Sequence, residues 1–225
     1  MTQISRSLDR TLNAMQEAAR RAGRRPDEIT LVAASKGVRL EQIEEAAGCG
    51  VRVFGENRVQ EATAKFLETG LLEKIDSVHL IGPLQTNKVK RAVGFFDLIH
   101  SIDSVHLAEK VEQEAAKRSI KQSVLVEVNI GGEVSKHGVS VEETPYLVEA
   151  IRGRSHLSLF GLMTIPPYHP DPERARPYFS ALRELGMSLG LSRLSMGMSA
   201  DFRVAIEEGA TWVRIGTAIF GPREG

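Results

Sequence analysis

The chain has 225 residues, of which 42% are hydrophobic and 26% are charged, the balance of an ordinary globular protein. Basic and acidic residues number 29 each, so the net charge gives no reason to expect nucleic acid or an anionic membrane as a partner. Cys49 is the only cysteine, which excludes an intramolecular disulfide and favours a reducing, cytoplasmic compartment. The N-terminal segment MTQISRSLDRTLNAM has no long apolar stretch, and we expect neither a secretory signal nor a membrane span.

Amphipathic and apolar segments alternate along the chain. The amphipathic pattern predicts an N-terminal helix over residues 4–22 and further helices near 40–47, 59–67, 87–93, 104–118, 141–152, 173–189 and 202–208. The apolar, β-branched segments predict strands at residues 29–34, 51–54, 78–81, 98–102, 124–130, 157–165, 194–198 and 213–219.

Strands that alternate with helices favour parallel pairing through right-handed crossovers. Eight such units close into an α/β (β/α)8 TIM barrel, whereas an open doubly wound sheet more often has about five to seven strands. An open sheet remains the structural alternative, because counts of short strands are easily off by one. No linker or change of composition divides the chain, so we expect a single domain over residues 1–225.

A lysine directly follows the first predicted strand, in the segment ITLVAASKGV. Side chains alternate along a strand, so Val32, Ala34 and Lys36 share one face. If that face is the barrel interior, the small Ala34 leaves room for a ligand ring below the amine. The C-terminal ends of barrel strands carry the chemistry of such enzymes, although a solvated lysine at a strand end is the plain alternative.

Two segments near the end of the chain predict a phosphate site. Barrels of this kind often bind phosphate in the loops after strands seven and eight, near a short helix. Gly197, Met198 and Ser199 follow the seventh predicted strand, and Gly216 and Thr217 lie at the eighth. Glycine lets backbone amides approach an anion, and the two hydroxyl groups add donors. Two ordinary turns are the alternative, because Gly and Ser are common in turns.

An arginine lies within the last predicted strand, where alternation places Trp212 and Arg214 inward. A buried guanidinium needs a partner. The ring nitrogen of pyridoxal 5′-phosphate (PLP) is one such partner, and a carboxylate of the same barrel, Glu56 or Glu127, is the alternative. Lysine, phosphate site and arginine together are the groups that PLP requires.

Further residues are predicted at the same rim because each lies on or directly after a strand: Asn57, His79, Asn129, Met163 and Thr164. We expect His79 to be a hydrogen-bonded core histidine rather than a base.

The glycine-rich loop at residues 131–138 is interpreted either as a lid or as a solvated loop. Its Lys136 could hold PLP transiently, as a second amine on the path to or from Lys36. The basic run at residues 88–91 is interpreted as a solvated helix face. No HExxH, paired CxxC or EF-hand pattern occurs in the sequence, and no metal site is expected.

Seven segments, in order along essentially the whole chain, resemble those of the YggS/PROSC family of PLP-binding proteins, also called PLP homeostasis proteins: LVAASKG, FGENRVQE, HLIGPLQTNK, VNIGGEVSKHG, GLMTI, SMGMSADF and VRIGTAIFG. The resemblance implies one barrel like the N-terminal domain of alanine racemase, which is PLP fold type III. It also implies a Schiff base between PLP and Lys36, with Arg214 at the ring nitrogen. By the same resemblance Asn57 would lie beside the ring, and Ser199, Gly216 and Thr217 would bind the phosphate. Met163 and His79 are further cofactor-binding candidates because of their positions on strands.

Arg214 would leave the ring nitrogen unprotonated, because arginine does not give up its proton. The ring is then a weaker electron sink, and a racemase would need a second base. The tyrosines Tyr146, Tyr168 and Tyr178 lie in predicted helices or a loop. The resemblance implies a carrier and regulator of the vitamin B6 pool that exchanges PLP with PLP-dependent apo-enzymes. We expect a monomer, because the sequence shows no obvious dimer seam or second domain. An amino-acid racemase, with His79 or Lys136 as the second base, is the alternative.

Overall fold

In the computed structural model, which describes residues 2–67, 69–133 and 136–222, eight parallel strands close into a barrel. The strands are β1 Thr30–Ala34, β2 Val53–Glu56, β3 Ser77–Leu80, β4 Leu98–Ile102, β5 Gln122–Glu127, β6 Leu157–Met163, β7 Arg193–Met198 and β8 Trp212–Ile215. Each strand pairs with the next, and β8 pairs with β1 through a register in which Val32 lies beside Arg214. This closure confirms the predicted barrel and excludes the open sheet.

Helices surround the barrel and follow the strands in sequence. They are α1 Gln3–Arg21, α2 Leu40–Gly48, α3 Val59–Leu67, α4 Val89–Ala92, α5 Val105–Lys117, α6 Thr144–Arg152, α7 Arg176–Ser188, α8 Phe202–Glu207 and α9 Thr217–Phe220. The extra helix α1 precedes the first strand and packs against α2, α8 and α9. In the part of the chain that is described, no helix has both the length and the apolar character that crossing a bilayer requires.

Two apolar layers hold the barrel together. The larger layer lies between strands and helices and contains the buried rings of Phe54, Phe66 and Phe179. The smaller layer fills the barrel interior with side chains that include Val32 and Trp212. Val32 on β1 and Trp212 on β8 therefore point into the barrel, as the alternation of side chains predicted.

Some predicted boundaries are wrong. Residues 51–54 were expected to form a strand, but β2 is Val53–Glu56, and β5 ends at Glu127 rather than at residue 130. The strand predicted at residues 213–219 ends at Ile215, because the backbone turns at Gly216 into α9. Apolar composition alone does not separate a strand from a short buried helix that follows it.

Candidate functional site

A cavity of about 390 Å³ opens at the C-terminal ends of the strands, within the range of about 300–1,000 Å³ that small-molecule sites occupy. Its walls come from β1 and from the loops after β2, β3, β6, β7 and β8. The polar residues and small residues among them are Ala34, Lys36, Asn57, Tyr168, Ser199, Ala200, Arg214, Gly216 and Thr217. The structure thus brings together the lysine, the predicted phosphate loops and the arginine.

Lys36 follows β1 and lies above Ala34 on the cavity wall. The next residue, Gly37, has a φ of +68°, a left-handed conformation that glycine adopts without steric cost. Within the described residues, no hydrogen bond or ion pair engages the side chain of Lys36. The amine is therefore available to a ligand in the cavity.

Both backbone neighbours of Lys36 are held by an ionic cluster that consists of Glu56, Glu61 and Lys65. The Nζ atom of Lys65 donates to the carbonyl oxygen of Ser35 at 2.7 Å and to carboxylate oxygens of Glu56 and Glu61 at 2.9 and 2.7 Å. Glu61 also accepts the backbone N–H of Gly37 at 2.7 Å. We call this group the Lys65 cluster.

Burial sets the electrostatics of the Lys65 cluster. Glu56 is fully buried, and desolvation raises its pKa, with Lys65 and the hydroxyl of Ser35 opposing the rise. Burial would raise the pKa of Glu61 too, but the hydrogen bonds from Lys65 and from the Gly37 N–H outweigh it and lower that pKa. One ammonium group thus contacts two carboxylates and also holds the backbone beside Lys36.

Backbone amides converge where the phosphate site was predicted. The N–H groups of Gly216 and Ala218 both donate to the hydroxyl oxygen of Ser199 at 3.3 Å. A Cβ atom at Gly216 would come within 3.0 Å of the carbonyl oxygen of Ala34, so a larger residue there would press on β1. Asp201 secures the turn by accepting the N–H of Met198 at 2.6 Å. The hydroxyls of Ser199 and Thr217 and the backbone of Gly216 thus lie together on the cavity wall, and hydroxyl and amide groups are donors that suit an anion.

The guanidinium of Arg214 is buried in the floor of the cavity. It donates to the hydroxyl oxygen of Ser195 at 2.6 Å and to the carbonyl oxygen of Thr164 at 2.8 Å. Desolvation lowers the pKa of Arg214 to about 10, and the negative charges of Glu127 and Asp201 oppose this.

The two carboxylates considered as partners of Arg214 do not pair with it. Among the described residues no acid lies within ion-pair distance of this guanidinium, and Glu56 pairs with Lys65 instead. Glu127 acts on Arg214 only through longer-range attraction, and burial together with Asp103 raises the pKa of Glu127 to about 7. Arg214 therefore keeps donor capacity for a ligand group.

A chain of hydrogen bonds runs from Arg214 into the barrel interior. The Oγ atom of Ser195 is 2.9 Å from Nδ1 of His100, and Nε2 of His100 is 3.0 Å from Nδ1 of His79. Nε2 of His79 is 3.2 Å from the hydroxyl of Ser77. Desolvation lowers the pKa of His79 to about 4, and desolvation with the charges of His79 and Arg214 lowers that of His100 well below its ordinary value. Both imidazoles are therefore neutral.

Four of the residues predicted at the rim are not part of the cavity wall: His79, Asn129, Met163 and Thr164. His79 is a buried, hydrogen-bonded core histidine, as expected, and Met163 is buried in the apolar interior of the barrel. Thr164 bonds to Val128 through its hydroxyl and to Arg214 through its carbonyl. Whether His79 and Met163 affect a bound cofactor stays a prediction.

The loop at residues 131–138 is described in part, and Val134 and Ser135 lie outside the described residues. The Nζ atom of Lys136 is 2.6 Å from a carboxylate oxygen of Glu133 and donates to the carbonyl of Pro166 at 3.0 Å. Asn129 donates to the carbonyl of Glu133 at 2.9 Å. The roles of this loop as a lid and of Lys136 as a second amine stay predictions.

Sequence reasoning missed four residues that build or line the site: Lys65, Glu61, His100 and Tyr168. Glu61 and Lys65 occur at i and i+4 on one predicted helix, a spacing that predicts an ion pair but not its contacts with the backbone on either side of Lys36. Tyr168 was assigned to a loop, and the structure adds that this loop lines the cavity. No local signal distinguishes His100 from other buried strand residues.

The chain matches the family model described as alanine racemase, N-terminal domain, over residues 7–224. It is 49% identical to a pyridoxal phosphate homeostasis protein of Aquifex aeolicus, over 96% of this chain and 97% of that protein. The structure of PipY from Synechococcus elongatus with PLP bound is 35% identical, with a TM-score of 0.79 over 92% of this chain and 99% of that one. An alanine racemase of Clostridium difficile shares the fold, with 15% identity and a TM-score of 0.75 over 97% of this chain and 57% of that one.

Proposed function

Because this chain belongs to the pyridoxal phosphate homeostasis protein family, we propose that it binds PLP through Lys36 and serves as a carrier and regulator of the PLP pool in the cytoplasm. The observation that carries the proposal is a single cavity that joins an unengaged amine, a set of anion donors and a buried guanidinium. These are the three groups that an aldehyde, a phosphate and a ring nitrogen need.

The donor set fits PLP group by group. Ser199, Thr217 and the amides near Gly216 would hold the phosphate, and Lys36 would receive the aldehyde. Arg214 would donate to the ring nitrogen, and Asn57 would lie beside the ring. When bound, PLP supplies an electrophilic carbon and a ring that accepts electron density.

The arrangement of the protein's own side chains argues against racemase activity. Arg214 holds its proton even though burial lowers its pKa to about 10, so a ring nitrogen that accepts its hydrogen bond stays unprotonated. The proposed second bases are poorly placed: His79 lies in the barrel interior and Lys136 is paired with Glu133. Tyr168 lines the cavity, but it is 82% exposed, which leaves its hydroxyl in water rather than in a dry catalytic pocket.

The proposal includes one domain that acts as a monomer and passes PLP to PLP-dependent apo-enzymes. In the described part of the chain the barrel is closed, so no strand edge is left for a second copy to extend. Lys136 would assist the transfer as a transient second amine.

Two measurements on the PLP-loaded protein test this function. PLP transfer to a purified apo-enzyme, followed by the activity that the acceptor regains, should proceed to completion. Incubation with single-enantiomer amino acids in deuterated water should leave the α-hydrogen unexchanged. Exchange at a catalytic rate would establish the racemase alternative instead.

A further inference from the structure

A second cavity, of about 550 Å³, adjoins the first and shares Lys36 and Asn57 with it. The first cavity extends from Lys36 toward the loops after β7 and β8, and the second extends toward the loops after β2 and β3. The remaining walls of the second cavity include Arg58, Gln60, Gln85 and Lys88. Lys36 can therefore face a ligand in either space.

The second cavity is cationic. Lys36, Arg58 and Lys88 line it, and no carboxylate does among the described residues. Over the same residues, the side chains of Arg58 and Lys88 make no hydrogen bond or ion pair. Glu61, in the first turn of α3, is already engaged by Lys65 and by the N–H of Gly37. Glu61 attracts Arg58 only at longer range, so no described carboxylate pairs with the cations of this space, and Lys88 lines the cavity rather than lying only on a solvated face.

We propose that this cavity binds the carboxylate of a free amino acid and directs its amino group toward Lys36. Arg58 suits a carboxylate because its guanidinium offers two parallel donors, and Gln60 and Gln85 add neutral amides. The inference rests on the proposed function, since the amino acid then meets PLP at the residue that holds it.

The exchange that follows balances in atoms and charge. The incoming amine forms a bond to the aldehyde-derived carbon of PLP as the bond from that carbon to Lys36 Nζ breaks. The incoming ammonium group gives up two protons and both end on Lys36 Nζ, which becomes an ammonium group, while the nitrogen bonded to PLP carries one proton before and after the exchange; PLP leaves with the amino acid. Arg58 and Lys88 are positioning residues in this step, because neither touches the bond that changes.

Binding is tested first on the PLP-free protein by isothermal titration calorimetry with N-acetylglycine, N-acetylglycinamide and inorganic phosphate. N-acetylglycine should bind saturably and its neutral amide should not. The double variant Arg58→Gln with Lys88→Gln should weaken N-acetylglycine at least tenfold. Lys90→Gln is the matched control: it removes one exposed charge from α4 outside the cavity walls and should leave binding unchanged. The proposal would be overturned if phosphate bound and N-acetylglycine did not. It would also be overturned if Lys90→Gln weakened the binding of N-acetylglycine as much as the double variant does.

The second test follows the release of PLP from the loaded protein by glycine and by glycinamide, monitored by absorbance. Glycine should release PLP faster than glycinamide at equal concentrations of free amine, and the double variant should remove that preference while its visible PLP band persists. A preference that survives in the double variant would exclude the cavity as the carboxylate site. If the wild-type protein never acquires a PLP band, the proposed function fails, whereas the calorimetric test of the cavity still stands.

Discussion

The Nζ atom of Lys65 lies 2.7 Å from the carbonyl oxygen of Ser35, so one lysine of α3 holds the backbone that presents another, Lys36. The same ammonium group pairs with the buried Glu56. On the other side of Lys36, Glu61 accepts the backbone N–H of Gly37. The Lys65 cluster thus restrains both peptide units that flank the proposed PLP lysine. Preorganisation of a reactive group by buried, hydrogen-bonded neighbours lowers the entropy lost on binding.

Lys65→Met should destabilise the protein by about 3 kcal/mol, because removing one partner of a buried pair leaves the other charge uncompensated. Urea unfolding of the PLP-free protein measures the loss. Lys65→Met with Glu56→Gln should recover much of it, since the orphaned carboxylate is gone. Lys110→Met on α5 is the control: Lys110 is exposed and its loss should cost little. A double variant no more stable than the single one would show that Glu56 does not depend on Lys65.

Ser199→Ala with Thr217→Ala should weaken PLP binding at least tenfold. Each hydroxyl would donate to a charged acceptor, worth about 1.5–3 kcal/mol, and ~1.4 kcal/mol is a factor of ten in affinity. Pyridoxal, which lacks the phosphate, should bind the wild-type protein and the double variant with about equal affinity. Fluorescence titration with the two ligands makes the comparison, and an equal loss for both would place the phosphate elsewhere.

Arg214 should tune the bound ring rather than anchor it. Arg214→Gln keeps an N–H donor and should retain PLP, whereas Arg214→Glu should favour a protonated ring nitrogen and shift the visible absorbance. Absorption spectra of both variants show whether the electronic state of the ring changes. The PLP content, measured after release in alkali, shows whether PLP is still bound. If both variants still hold PLP and their spectra are unchanged, Arg214 does not contact the ring.

The buried histidines should make the fold sensitive to acid. His79 has a folded pKa of about 4 against an ordinary value of ~6.5, so the stability it contributes is complete above pH ~6.5 and is lost as pH falls through 4. His79→Gln should therefore reduce the dependence of the unfolding free energy on pH across this window, by up to about 3 kcal/mol. His106→Gln, at an exposed position of α5, is the control and should retain the wild-type dependence. Identical pH profiles for wild type and His79→Gln would mean that burial does not suppress this protonation.

Sequence patterns predicted the barrel because its signals are local. Alternation placed Ala34 and Arg214 inward, and glycine and serine marked the loops that carry Ser199 and Gly216. Hydrogen bonds between residues that are far apart in the sequence produce no such local pattern. The bond between Lys65 and Ser35 joins positions 30 residues apart, and that between Ser195 and His100 joins positions 95 apart. Such pairs depend on how the strands are arranged around the barrel, which no periodicity in one segment encodes.

The measurement that most directly tests the account is borohydride reduction of the PLP-loaded protein followed by peptide mass mapping. Reduction makes the bond between an amine and PLP permanent, and the account predicts the pyridoxyl group on the peptide that contains Lys36. Lys36→Ala should abolish that adduct and the visible PLP band together. An adduct found only on another lysine, such as Lys136 or Lys65, would contradict the assignment of Lys36 as the residue that holds PLP.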